Sequence, residues 1–279
     1  VTSLYNEVQC APTIVPSQNF NVNTYFGTGA TQAIDAKFNE AANFNGSSSK
    51  IDVTSIKNTF TGNFSASVWV NTNSISTSQV ILDFFEGTNI NTKLYFLSST
   101  AYFQTYDGSS YGIIQSSTLS SNTWYNIVLT RNNNDYELYV NGSSIGTVTK
   151  NTAEETSQPF GIGYATTGSL YLNGKIDQVR IFDTALIGTQ VTDLYNNETD
   201  ATAQLLNFPV GAGCIAAYEL DGNADDISGL YSGTPTDIGY TGMEFQPDLV
   251  WLKSRSATWE PFLQDSLRGA GNYLRSNST

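Results

Sequence analysis

The sequence predicts an all-β protein, a two-sheet jelly-roll sandwich followed by a second, partial β module. Three observations carry this. Phe64, Ala66, Val68 and Val70 alternate with Ser65, Ser67, Trp69 and Asn71, a period of two that sends one set of side chains to each face of a strand. Asn141-Gly142 joins Tyr136–Val140 to Ile145–Val148, and an Asn-Gly step between alternating segments favours a tight hairpin. Asn45-Gly46, Asp107-Gly108 and Asn173-Gly174 are further turn dipeptides that cut the chain into short strands.

The remaining elements follow in order. Trp124–Arg131 (WYNIVLTR) reads as a strand. One short helix is predicted after Asp183 or Thr184, either of which can cap it. Leu186, Ile187, Val191, Leu194 and Tyr195 supply its apolar spacing, and Gly188 weakens it. Residues 198–213, with Ala, Thr, Gly and Pro209, read as a connection. Cys214–Leu220 then looks like the first strand of a new module, followed by an acidic turn from Asp221 to Gly229. Leu249–Lys253 is a further strand, with Pro247 marking its start. Val1–Glu7 recurs as Val191–Asn197 with five of seven positions identical, which suggests a piece of a tandem array. The expected organisation is the tail of a preceding repeat and a linker at 1–19, a jelly roll at 20–198, a linker at 199–212 and a truncated second β module at 213–279.

Composition narrows the function. Charged residues are only 13% of the chain, so the polar surface rests on Ser, Thr, Asn and Gly. The 12 basic and 25 acidic residues leave a net charge of −13, which repels nucleic acid. Apolar runs are of strand length, so no membrane insertion is expected. Histidine is absent, which removes the commonest general base and transition-metal ligand. Cys10 and Cys214 make no C-x-x-C pair. Two separate thiols are the simpler expectation, and a disulfide between them is left open.

Several motifs, taken in order, resemble a LamG-like (laminin G, concanavalin A-like) jelly roll across about residues 20–198. They are Ala41–Gly46, Phe64–Val70, Trp124–Thr130, Leu138–Gly142 and Gly174–Phe182. Gly213–Gly233 resembles the opening of another such domain. Phe245–Arg255 and Asp265–Ala270 are similar to a β domain that recurs in marine bacteriophage fibre and other virion proteins, and Phe20–Ala33 resembles the opening of that same domain. The resemblance implies a concanavalin A-like sandwich, a place on a virion surface, and partners among other virion proteins or copies of the same chain.

No catalytic residue is assigned. Glucanases on this fold need two close carboxylates. Glu219-Leu220-Asp221 begins such a pattern, but Ala224 stands where a further acid would be required. Glu137 stands alone on its strand and is expected to face solvent. No cofactor is required, and Ca²⁺ is the one candidate, at Asp221, Asp225 and Asp226 of the acidic turn. That turn lacks the spacing of an EF-hand loop, and a solvated turn is the plainer alternative. Asp177, in the strand Gly174–Phe182, is expected to be a structural carboxylate paired with a neighbour such as Arg180.

Aromatics reach 13% of the chain. Trp69 and Trp124 lie on apolar strands and are expected in the core. Tyr102, Tyr106, Tyr111 and Tyr164 lie near turns and are the candidates for exposed rings that stack on sugars. The first expectation is a virion structural and adhesion protein, a fibre, tail or capsid-decorating component that binds host-surface glycans through many weak contacts. The alternatives are a bacterial secreted adhesin or carbohydrate-binding module at the cell surface, and an architectural spacer with no ligand.

Overall fold

The computed structural model describes residues 36–38, 40–86, 91–151, 159–168, 170–196, 208–209, 211–241, 249–252, 262–265 and 274–275. The chain forms two compact units, one of residues 34–244 and one of residues 1–33 with 245–279. The Val1–Glu7 echo, Cys10, Phe20–Ala33, and most of Phe245–Arg255 and Asp265–Ala270 lie outside the described residues.

The larger unit is a sandwich of antiparallel sheets. Its strands are β1 (Ala41–Asn45), β2 (Lys50–Val53), β3 (Phe64–Thr72), β4 (Gln79–Glu86), β5 (Asn91–Leu97), β6 (Thr100–Tyr106), β7 (Tyr111–Gln115), β8 (Tyr125–Asn132), β9 (Asp135–Val140), β10 (Ser143–Thr149), β11 (Phe160–Ile162), β12 (Asn173–Phe182), β13 (Cys214–Tyr218), β14 (Thr234–Thr236) and β15 (Gly239–Thr241). One sheet runs β10-β9-β8-β3-β12-β1-β15, with β13 also paired to β12. The other runs β14-β2-β11-β4-β5-β6-β7. The smaller unit contributes a meander of β16 (Leu249–Leu252), β17 (Phe262–Asp265) and β18 (Leu274–Arg275).

The core between the large sheets centres on Phe60, Phe64, Phe84 and Phe160. Their ring centroids lie 5.1–5.6 Å apart in tilted and edge-on pairs, the arrangement that aromatic quadrupoles prefer. Alternate residues of β3 (Phe64, Ala66, Val68, Val70) point into it, as the period of two predicts. The other face of β3 is covered too. A helix, α1 (Gly188–Asn196), lays Val191 and Leu194 against Val128, Tyr139 and Phe182 on the outside of the eight-stranded sheet. A strand covered on both faces is buried along almost its whole length, and β3 is. Trp69 is buried as expected, but on this outer side, stacked on Tyr195 at 5.9 Å with the Lys37 ammonium 4.1 Å from its ring centroid. Trp124 departs from expectation. It precedes β8 and is only half-buried.

The hairpin at Asn141-Gly142 forms with both residues in the left-handed region (φ +50° and +75°), joining β9 to β10. Asn173-Gly174 is not a turn. It opens β12, and a Cβ on Gly174 would lie 2.3 Å from the Asn71 carbonyl oxygen, so the glycine serves close strand approach. The helix begins at Gly188, later than a cap at Asp183 or Thr184 would place it. The Thr184 hydroxyl donates to the Ala212 carbonyl, and the Ser65 hydroxyl links the Thr184 carbonyl to the Leu186 amide, so tertiary hydrogen bonds hold 184–186 out of the helix. The Gln190 side-chain oxygen accepts from the Ile187 amide and caps the first turn instead.

Strand pairing crosses the expected boundary at 213. Residues 214–241 pair with strands of the jelly roll and lie in the same compact unit. β1 pairs with β12 over Asn173–Ile176, and β13 takes the same side of β12 over Val179–Phe182. β14 and β15 extend the two sheets at β2 and β1. The physical reason is that a sheet leaves edge groups unpaired until a strand covers them, and distant segments can do that as well as near ones.

Candidate functional site

The outer face of the seven-stranded sheet is the candidate site. On β5 and β6, Leu94, Phe96, Ala101 and Phe103 face the core, so Lys93, Tyr95, Tyr102, Gln104 and Tyr106 face outward. β7 adds Tyr111, Ile113 and Gln115, opposite Tyr106, Gln104 and Tyr102. Tyr111 and Ile113 are 55% and 51% exposed, high for large apolar side chains on a strand.

The rings occur as cross-strand pairs. Tyr106 and Tyr111 lie 4.6 Å apart, and Tyr95 and Tyr102 stack at 5.3 Å. Between the pairs, the Tyr95 hydroxyl donates to Gln104 Oε1 at 3.1 Å, and Gln104 Nε2 donates to Asn91 Oδ1 at 2.9 Å. These bonds orient both amides, and the remaining N–H groups of Gln104 and Asn91 have no further partner among the described residues. Burial, with Tyr102 and Tyr111 nearby, pushes the Tyr95 hydroxyl up, so it stays a neutral donor.

The turn below Tyr106 and Tyr111 is braced. Asp107 Oδ1 accepts from the Ser109 and Ser110 amides at 2.9 Å, and Lys150 Nζ meets Asp107 Oδ2 at 3.1 Å. The Ser109 hydroxyl, then these amides, then Lys150, hold the Asp107 carboxyl far below the ordinary carboxylate range.

Of the four candidate tyrosines, the structure brings three together: Tyr102, Tyr106 and Tyr111. Tyr164 is a correction to the expectation of exposure. It is 5% exposed, its hydroxyl donates to Asp52 Oδ1, and Tyr171 stacks on it at 6.2 Å. It lies over Gly161, the one outward position of β11 with no side chain to displace it. Sequence reading missed Tyr95, Gln104 and Asn91. The period of two through NTKLYFL and TAYFQTY was the available signal.

Two carboxylates, Asp52 and Asp83, flank Gly161 in register. Asp52 meets the Tyr164 hydroxyl and Lys50 Nζ, and Asp83 Oδ2 accepts from the Thr166 amide and hydroxyl at 2.8 and 2.9 Å. They pin Tyr164 and Thr166 to the sheet. Glu137 is half-buried and accepts from the Ser144 hydroxyl at 2.5 Å. At the Glu219-Leu220-Asp221 pattern, Leu220 has φ +62°, which breaks the strand rhythm that one-faced carboxylates need.

The three acids expected to hold calcium part company. Asp226 is buried and accepts from the Ala217 amide at 2.8 Å, the Tyr231 amide at 3.2 Å and the Ser228 hydroxyl. Asp225 is exposed, and Asp221 Oδ1 accepts from the Glu40 amide at 3.1 Å. Among the described residues no three acidic, Cys or His side chains gather as a ligand set. Cys214 carries a free thiol.

With fold and site in place, the family follows. The chain belongs to the concanavalin A-like lectin/glucanases superfamily (Laminin_G_3), whose family model matches residues 45–192, more than half of its length. A second model, a domain of unknown function (DUF7483), matches residues 227–279. No curated protein matches the chain. Among solved structures it is similar to a Bacteroides ovatus protein described as carbohydrate binding, at 18% identity and TM-score 0.52, covering 75% of this chain and 61% of that one. A heptameric SAP-like pentraxin from Limulus polyphemus matches at 13% identity and TM-score 0.51, over 75% of this chain and 97% of the pentraxin. Domain 4 of the extracellular arabinanase AbnA from Geobacillus stearothermophilus, solved with arabinotriose, matches at 22% identity and TM-score 0.50, over 60% and 82%.

Proposed function

We propose that this chain is a non-catalytic glycan-binding module of a virion-surface protein, and that the outer face of its seven-stranded sheet is the binding surface. The observation that carries the reading is the outward placement of Tyr102, Tyr106 and Tyr111 around the oriented amide of Gln104. Tyrosine faces stack on the C–H faces of sugars, and fixed N–H groups select hydroxyl and ring oxygens. Each face is small, so useful adhesion comes from many copies. The carboxylates Asp52 and Asp83 on this face are tied to Tyr164 and Thr166, which supports binding without hydrolysis. The virion setting rests on the resemblance of Phe245–Arg255 to the phage β domain.

The test is a glycan array with the whole chain, followed by titration of the best ligand. Binding should fall at least tenfold in Tyr106→Ala and Tyr111→Ala while the melting temperature holds. An array without signal, or ligand affinity indifferent to both substitutions, would remove this face from the mechanism. Mass spectrometry of purified particles tests the virion setting, and recovery of the protein only from bacterial surfaces would favour a secreted adhesin.

A further inference from the structure

We propose that β7, the last strand of the seven-stranded sheet, pairs antiparallel with β7 of a second copy of this chain, about a two-fold axis through Ile113. The proposal concerns the backbone edge of the strand and is independent of the glycan reading.

The end of a sheet leaves a row of backbone N–H and C=O groups unpaired, and natural chains blunt such edges with bulges, proline, charge or very short strands. The two large sheets end at β10, β15, β14 and β7. β10 carries a bulge between Ser144 and Gly146. β14 is three residues long and contains Pro235, and β15 is also three residues long. β13, off the main path, has the Ala217 amide bonded to Asp226 Oδ1 at 2.8 Å and the Ala217 carbonyl bonded to the Ile227 amide at 2.9 Å. β7 carries none of these protections. It runs for five residues (YGIIQ) without proline, charge or bulge.

Its open groups follow from the ladder to β6. The Ser116 amide donates to the Ala101 carbonyl at 3.0 Å, and the Asp107 amide donates to the Ser110 carbonyl at 3.4 Å. Bonded pairs alternate along an antiparallel ladder, so Phe103–Ile114 and Thr105–Gly112 are the bonded rungs between them. The N–H and C=O groups of Tyr111, Ile113 and Gln115 therefore point away from β6, along the open edge. The same three residues are the exposed ones of the strand. This edge fits itself. Antiparallel pairing about Ile113 sets Ile113 against Ile113 of the second copy and Tyr111 against Gln115 of the second copy, so outward groups meet outward groups at every rung. No like charges face each other across it. The charges at the turn end of the strand, Lys150 and Asp107, pair with each other at 3.1 Å. On a chain of net charge −13, which repels its own copies, an uncharged edge is where two copies meet with least repulsion. The pairing is isologous, and it joins two seven-stranded sheets into one continuous sheet.

The test is sedimentation equilibrium of the full chain over a concentration series, joined to hydrogen exchange of the β7 amides. The expected result is a monomer–dimer equilibrium in which the Tyr111, Ile113 and Gln115 amides gain protection as concentration rises. Ile113→Lys and Ile113→Glu each set like charges opposite one another at the axis, and each should weaken the dimer by at least about tenfold. Mixed together, the two variants should pair with each other as strongly as the unaltered chain, because opposite charges then meet. That recovery also shows that both variants are folded. A chain that stays monomeric at every concentration would overturn the proposal. So would a dimer that survives both substitutions, or variants that fail to pair on mixing.

Discussion

The amide of Phe38 donates to Oδ2 of Asp177 at 2.8 Å, joining residues 139 positions apart. The bond ties the segment before β1 to the bulge of β12, so one carboxylate seals the point where the sheet exchanges one neighbour for another. It also makes stability respond to pH. The folded Asp177 carboxyl titrates above its unfolded value, near ~3.9. Between the two values the folded carboxyl keeps a proton that the unfolded chain releases. Its contribution is complete below the unfolded pKa and is lost as pH rises through the folded one. Melting temperatures should fall as pH rises above the unfolded value, and Asp177→Asn should flatten that slope. An unchanged slope in Asp177→Asn would assign the pH dependence to other groups.

Tyr111 and Tyr164 should separate binding from stability. Tyr111→Ala, on an exposed strand position, should change stability by less than ~0.5 kcal/mol while weakening the glycan. Tyr164→Phe removes a donor to the Asp52 carboxylate and should cost about 1.5–3 kcal/mol while leaving affinity intact. Chemical denaturation and calorimetric titration on the two variants check this.

The phenylalanine cluster predicts the largest loss. Phe84 is fully buried with Phe60, Phe64 and Phe160 around it. Phe84→Ala should cost about 3–5 kcal/mol, read from the midpoint of guanidinium unfolding.

Two glycines should behave in opposite ways. Gly174→Ala drives a methyl group into the Asn71 carbonyl and the Thr72 backbone, and should destabilise strongly. At Gly188, the first residue of α1, a Cβ meets nothing within 4 Å. There alanine should be neutral or stabilise by up to ~1 kcal/mol. Melting temperatures of the two variants decide it.

Burial pushes the Cys214 thiol up to about 12, against the pull of Arg180. The thiolate is the reactive form, so the folded protein should label at Cys214 far more slowly at pH 8 than the unfolded chain. Peptide mapping after iodoacetamide treatment distinguishes it from Cys10.

Much of the fold was legible because strand rhythm is local. The alternation through Phe64–Val70 and the Asn141-Gly142 hairpin both follow from backbone geometry within a few residues. Asn173-Gly174 misled for the same reason: a glycine kept for a distant backbone looks like one kept for a turn. The site was half legible. Tyr102, Tyr106 and Tyr111 could be named from the sequence, but the burial of Tyr164 depends on Asp52, 112 residues away.

By itself the sequence determined that this chain is a β-sandwich and where its strands and hairpins begin, because alternation and turn chemistry are written residue by residue. Only the tertiary structure decided that β13–β15 pair with the first sandwich, that Asp177 takes the Phe38 and Lys37 amides, and which tyrosines share an open face. Those outcomes depend on which distant strand reaches an unpaired sheet edge, and local sequence does not encode that.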